Sequence, residues 1–224
     1  MLTRRLRSFD VAGEATMIID TDANCTTAVP FLIKRGVEAV GRYYAASAGS
    51  KVIKKTEARA LSAKGIKIFA VYEDVGKKSQ LDLSVARGQK DGGTAKKQAS
   101  AIGQPSGTVI YFAVEGLPSG YKAADLPEIR NYFAGVKQAL GSDYTAGVYG
   151  DGVVCRTLLE EGICSHTWLA QASWSFEGSI EFYASKKWSL AQIVTDLPKK
   201  PWRGLSVDIN EGNDDIGAFV VPIA

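Results

Sequence analysis

The chain is poor in the residues that build metal and disulfide centres: 224 residues hold one histidine and three cysteines. His166 alone leaves too few imidazoles for a His-rich zinc hydrolase site. Its place at the start of an apolar strand makes it a structural residue. Cys25, Cys155 and Cys164 are odd in number and lack metal-ligand spacing, so they are expected as buried free thiols. Such thiols suit a chain with no need of an oxidising compartment. No apolar run approaches the roughly 18 residues of a membrane span. The basic start Met1-Leu2-Thr3-Arg4-Arg5-Leu6-Arg7 is not followed by the apolar core of a secretory signal. Arg4-Arg5 therefore reads as a solvated terminus, and export would need a non-classical route or phage-type lysis. The net charge is only +3, and pairs such as Lys54-Lys55 and Lys96-Lys97 lack interleaved aromatics. A nucleic-acid partner is not expected.

What is present is a recurring junction. Met17-Ile18-Ile19 runs into Asp20, Ile66–Tyr72 into Glu73, Val109–Val114 into Glu115, and Gly204–Val207 into Asp208. Helical stretches separate most of these strands, and such alternation makes a parallel sheet. The expected fold is α/β: a single (β/α)8 TIM-like barrel over 15–224 with an irregular last third, after an N-terminal extension, 1–14. Strands are predicted at 15–20, 37–44, 66–72, 108–114, 144–149 and 167–172, with short ones near 180–183, 190–195 and 205–209. Helices are predicted at 26–36, 56–65, 95–102, 127–140 and 152–161. The first would have Thr26 or Thr27 as its N-cap and Pro30 in its first turn. The glycine-rich stretch 74–92 reads as irregular, with a helical turn at 84–89.

In a closed parallel barrel the C-terminal strand ends share one face. That rim would gather Asp20, Asp22, Arg42, Tyr43, Tyr44, Tyr72, Glu73, Glu115, Tyr149, Asp151, Gln171, Trp174, Gln192, Asp208 and Asn210. Acids, amides and aromatics of this kind suit sugar chemistry. Glycosidases use two carboxyls, about 5–5.5 Å apart for retention and about 6.5–9.5 Å for inversion. Glu115 ends the most apolar strand, where partial burial would raise its pKa as a general acid requires. Each acid also has a plainer role open to it. Asp20 and Asp22 could cap a helix, Glu73 could open a polar loop, and Asp208 could hold backbone at the barrel closure. Trp168, inside a strand, suits the core; Trp174, in a loop, suits a sugar platform.

At these residues the sequence resembles a glycoside-hydrolase-like TIM-barrel family, long filed as a domain of unknown function and distantly similar to family 25 muramidases. The segments that carry the resemblance run through nearly the whole chain. They are Asp20-Thr21-Asp22, Gly41-Arg42-Tyr43-Tyr44, Lys54–Gly65 with Val71-Tyr72-Glu73, Ile110–Glu115, Tyr132–Val136, Gly147–Gly150, Trp168–Gln171 and Val207–Asn210. The resemblance implies an active centre among Asp20, Glu73, Glu115 and Asp208. In the muramidases the fourth strand ends in Asp-x-Glu; here Ala113 stands at the Asp position, leaving Glu115 alone on its strand. The family also often has Asp where this chain has Glu115.

The sequence therefore supports a glycosidase acting on a peptidoglycan-like or other amino-sugar polysaccharide. Glu115 would be the general acid, and Asp20, Glu73 or Asp208 the second carboxylate. Asp22, Arg42, Tyr44, Tyr72, Tyr149, Asp151, Gln171, Trp174, Gln192 and Asn210 would bind substrate. No metal or cofactor is expected, and the chain is expected as a monomer with no membrane span. One alternative is a carbohydrate-binding barrel whose catalysis has lapsed, consistent with Ala113. Another treats the acids as a Mg²⁺ or Ca²⁺ site for phosphodiester chemistry.

Overall fold

A computed structural model describes residues 17–47, 49–74 and 82–223. The proposed N-terminal extension lies outside these residues, as do positions 75–81 of the 74–92 connection. The elements are β1 (Met17–Asp20), α1 (Val29–Lys34), β2 (Val37–Tyr44), α2 (Lys55–Ser62), β3 (Lys67–Tyr72), α3 (Val85–Ile102) and β4 (Val109–Val114). They continue as α4 (Leu126–Leu140), β5 (Thr145–Gly150), α5 (Gly152–Glu160), β6 (His166–Leu169), α6 (Ser179–Ser185), β7 (Leu190–Leu197) and β8 (Val207–Gly212). The strands close into a barrel in sequence order. Among the described residues no helix is long and apolar enough to cross a membrane.

The regular (β/α)8 alternation does not persist to the end. Strands β1 to β7 are parallel to their neighbours, but β8 runs antiparallel to both β7 and β1. The cause is length. The connection 198–206 holds only a 3₁₀ turn at Lys200–Trp202, and a parallel crossover takes a dozen or more residues. The chain therefore reverses and closes the ring as a hairpin. Asp208 lies near the start of β8, opposite Asp20. It reaches the mouth because its strand is inverted, and not as a strand terminus.

Strand side chains alternate between two faces, and the two faces form separate cores. Ala39, Phe69, Val71, Val109, Tyr111, Trp168 and Leu190 fill the barrel. The opposite set, including Ile19, Val40, Ile68, Ile110 and Phe112, packs with the helices. Trp168 is 1% exposed and stacks edge-on against Phe69, Tyr111 and Tyr149 at centroid distances of 5.1, 5.9 and 4.7 Å. It plugs the barrel, as its position inside a strand suggested. All three cysteines are buried and free. His166 packs edge-on to Tyr111 and pairs with Asp215 at 3.2 Å, a structural place.

Three local expectations are corrected. The helix over 26–36 is shorter: Ala28 precedes it with no side-chain cap, so Thr26 and Thr27 do not cap it, while Pro30 does lie in its first turn. The expected irregular 74–92 stretch contains the first half of α3, which Ser84 caps by accepting the Arg87 amide at 3.2 Å. Its glycines serve helix contact. A Cβ on Gly88 would lie 2.0 Å from the Tyr132 carbonyl oxygen, and one on Gly135 would lie 2.0 Å from that of Val85. Only glycine lets α3 and α4 approach so closely, and that packing overrides its poor helix propensity. The strand expected at 180–183 is helix α6, entered through Gly178 at φ +75°. A short apolar run does not reveal its period.

Candidate active site at the barrel mouth

Parity decides which rim residues face the mouth. Asp20 ends β1 and is 1% exposed. Its Oδ2 accepts from Asn210 Nδ2 at 2.8 Å and Gln192 Nε2 at 3.2 Å, and its Oδ1 from the Tyr43 hydroxyl at 3.4 Å. Burial pushes its pKa from 3.8 up to about 7; the negative Asp208 adds to the rise, and the three hydrogen bonds oppose it. The same Gln192 amide donates to Asp208 Oδ2 at 3.0 Å, so one side chain bridges two acids. Asp208 also accepts the Asp196 backbone amide at 2.7 Å, and burial raises its pKa too. Gln192 completes the hub by accepting from the Tyr149 hydroxyl at 3.2 Å and the Gln171 amide at 3.3 Å. Asn210 is held in turn by the Trp168 indole N–H at 2.8 Å.

Glu73 follows β3 and is ion-paired to Lys51 at 2.7 Å. The Lys51 ammonium also lies 4.3 Å above the Tyr43 ring. Asp20, Asp22, Tyr43, Lys51, Glu73 and Asp208 line one pocket of about 290 Å³ with Thr21, Asp196 and Ser206. Glu115 follows β4 and borders a second, apolar pocket of about 180 Å³. Its side chain meets solvent but stands among the walls of a concave mouth. Desolvation by those walls pushes its pKa from 4.5 up to about 7; the negative Glu73 adds to this and Lys51 opposes it. Burial first, then Glu115, Asp20, Tyr43 and Glu73, hold the Tyr149 hydroxyl well above the usual range. The structure thus brings Asp20, Glu73, Glu115 and Asp208 to one mouth.

Other rim candidates turn away from it. Arg42, fully buried, pairs with the buried Glu57 at 2.8 Å and also holds the Thr21 carbonyl. Tyr44 points to the helix layer and donates to Gln104 at 2.7 Å. Tyr72 does the same toward Asp91 at 3.1 Å. These three are corrected from substrate contacts to framework. Asp151 caps α5 by accepting the Val154 amide at 3.0 Å, and takes the Tyr121 amide at 2.7 Å. Its carboxylate is committed to backbone. Trp174 packs on Tyr183 at 4.9 Å, and Tyr183 stacks on Trp188, so Trp174 belongs to a cluster beside α6 rather than to the acidic pocket. Asp22 is exposed and caps no helix. Among the described residues no three His, Cys, Asp or Glu side chains are grouped so as to hold a metal ion.

Sequence reasoning placed Tyr43 on the rim without giving it a role there, and missed Lys51 and Asp196 altogether. Tyr43 had a signal: it alternates with Arg42 and Tyr44, so only one parity of that run enters the barrel. Lys51 sits in a loop and had none. Asp196 lies at φ +54° where β7 slips register against β8, a feature of the barrel closure alone.

Comparison with known proteins places this architecture. The chain is 31% identical over 137 residues to the uncharacterized protein YbfG of Bacillus subtilis, covering 58% of this chain and 18% of YbfG. It is 29% identical over 165 residues to the putative peptidoglycan hydrolase Rv2525c of Mycobacterium tuberculosis, covering 72% of this chain and 63% of Rv2525c. The matched segments therefore span less than two thirds of either relative. The crystal structure of Rv2525c, a Tat-secreted protein solved with L-tartrate, superposes with a TM-score of 0.74 at 20% identity, over 91% of this chain and 98% of that one. The autolysin LytC of Streptococcus pneumoniae, solved with a synthetic peptidoglycan ligand, gives a TM-score of 0.51 at 15% identity, over 89% of this chain and 47% of that one. These two structures share the fold. A family profile matches residues 31–215, and the chain belongs to the Rv2525c-like, glycoside hydrolase-like domain family.

Proposed function

We propose that this chain is a glycoside hydrolase acting on a cell-wall amino-sugar polysaccharide of the peptidoglycan type, with Glu115 as its general acid. The observation that carries the reading is the set of four carboxyls at one mouth, two of them, Glu115 and Asp20, raised to about 7. A carboxyl with a pKa near the working pH keeps a proton to give and can lose it in the same cycle. Glu115 protonates the glycosidic oxygen as the C1–O bond breaks. Positive charge then builds on the sugar ring, facing the pocket of Asp20, Glu73 and Asp208. One of these stabilises the cation, activates water, or orients a substrate acetamido group that attacks C1. Tyr43, Tyr149, Gln192 and Asn210 hold the acids in place, and Asp22 borders the sugar site. The relation to Rv2525c, a putative peptidoglycan hydrolase, and the likeness to LytC, solved with a peptidoglycan ligand, support the substrate class. A wall substrate also requires export, and the related Rv2525c is Tat-secreted.

A second reading rests on Ala113, which faces Tyr149 across the β4–β5 pair. With no carboxyl there, the mouth could bind glycan without cleaving it. Glu115→Gln separates the two. The hydrolase reading expects release of reducing ends from peptidoglycan to be abolished while glycan binding persists. Turnover unchanged by the substitution removes Glu115 from its role. Saturable binding by the unaltered protein, with no product at high protein and long incubation, establishes the lapsed barrel.

A further inference from the structure

The apolar pocket beside Glu115 has no part in the chemistry just described. Val114, Leu117, Tyr121, Ala170, Ala172 and Phe176 form its walls, and its volume is about 180 Å³. That is room for a small substituent with its surroundings, in contrast to the polar 290 Å³ pocket across the mouth. Apart from Glu115, its polar side chains are already engaged. Both Asp151 oxygens accept backbone amides, at 3.0 and 2.7 Å. Ser173 Oγ donates to the Ala170 carbonyl at 2.7 Å. The Tyr121 hydroxyl is turned to the Glu115 carbonyl at 3.4 Å. Sugar hydroxyls entering here would lose water and gain few partners, which costs free energy. An alkyl group would lose nothing.

Position identifies which alkyl group. This step rests on the hydrolase reading above. The carboxylates that would face the developing cation lie in the polar pocket, and Glu115 stands between that pocket and the apolar one. The sugar on the leaving side of the scissile bond is therefore the one beside the apolar walls. On a hexosamine without a lactyl ether its small apolar substituent is the methyl of the N-acyl group; a lactyl methyl would be untouched by the acyl exchange below and would leave the ratio near one. We infer that this pocket seats the acyl methyl of an N-acetylated hexosamine on the leaving side, and so sets a preference for N-acetylated glycan.

The test isolates one methyl group. Peptidoglycan is chemically de-N-acetylated and its amines are restored with either acetyl or formyl groups, both neutral amides. The unaltered protein should release reducing ends about tenfold faster from the acetyl form, the discrimination expected for one hydrocarbon group in a fitted pocket. Ala172→Leu, at an exposed wall position, should fill the pocket and bring the ratio near one. Binding of the two polymers to Glu115→Gln should show the same preference. A ratio near one in the unaltered protein, or a tenfold ratio untouched by Ala172→Leu, overturns the inference. Acetyl-selective binding abolished by Ala172→Leu in a protein that cleaves neither polymer would uphold the pocket and refute the hydrolase reading instead.

Discussion

Asp20 offers a sharp test, because its burial makes a thermodynamic claim independent of any substrate. In the unfolded chain its carboxyl titrates near 3.8, and in the folded barrel near 7. Between those values the native state binds more protons than the unfolded state, so stability falls as pH rises. The contribution is fully present below pH 4, lost progressively up to about 7, and flat beyond it. One pKa unit corresponds to about 1.4 kcal/mol, so the rise to about 7 is worth at most about 4 kcal/mol. Asp20→Asn keeps the shape, cannot ionise, and retains an oxygen to accept from Asn210 or Gln192. Urea unfolding of both proteins from pH 4 to pH 8 reads the difference directly. The variant should gain on the parent by up to about 4 kcal/mol between pH 4 and pH 7, then hold a constant difference. A pH-independent difference would refute the reasoning, since it would mean Asp20 ionises in the barrel as freely as in water. A difference already complete by about pH 5 and flat above it would do the same.

Lys51→Met should raise the Glu115 pKa, because the ammonium opposes its protonation. The basic limb of the pH–rate profile then moves to higher pH and Lys51→Arg restores it; a profile identical in all three proteins would deny Lys51 any influence on the acid. Gly88→Ala forces a methyl toward the Tyr132 carbonyl and should cost about 1–3 kcal/mol. Gly93→Ala, with open space at its Cβ, should instead stabilise by up to about 1 kcal/mol; a Tm comparison of the two checks the helix contact. Arg42→Met strands the buried Glu57 and should lower stability by about 3–5 kcal/mol. Glycan affinity of the folded variant should be unchanged, and a selective loss of affinity would return Arg42 to the binding surface.

The strand–helix alternation and the strand-end acids were legible because burial and secondary-structure period are local properties of the sequence. So was the fate of Tyr72: it ends β3 directly before Glu73, and neighbours along extended backbone face opposite sides. That rule, applied at each junction, would have kept Tyr72 out of the mouth from the start. On β2 it could say only that Arg42 and Tyr44 oppose Tyr43, since nothing local reveals which face is inside. Register against β1 and β3 settled it. The α3 glycines misled in the opposite direction, because their value lies in a helix they touch and not in the helix they occupy.

By itself the sequence determined that alternating strands and helices form one barrel layer and that strands running into Asp20, Glu73 and Glu115 deliver acids to its rim. Only the tertiary structure decided that β8 runs backwards, so that Asp208 meets Asp20 from an inverted strand. It alone joined those two through Gln192 and stood Lys51 between Glu73 and the Tyr43 ring. The reason is the range of the forces. Periodicity and turn chemistry act over a few residues, whereas a carboxyl's pKa depends on whatever the closed ring brings beside it from anywhere in the chain.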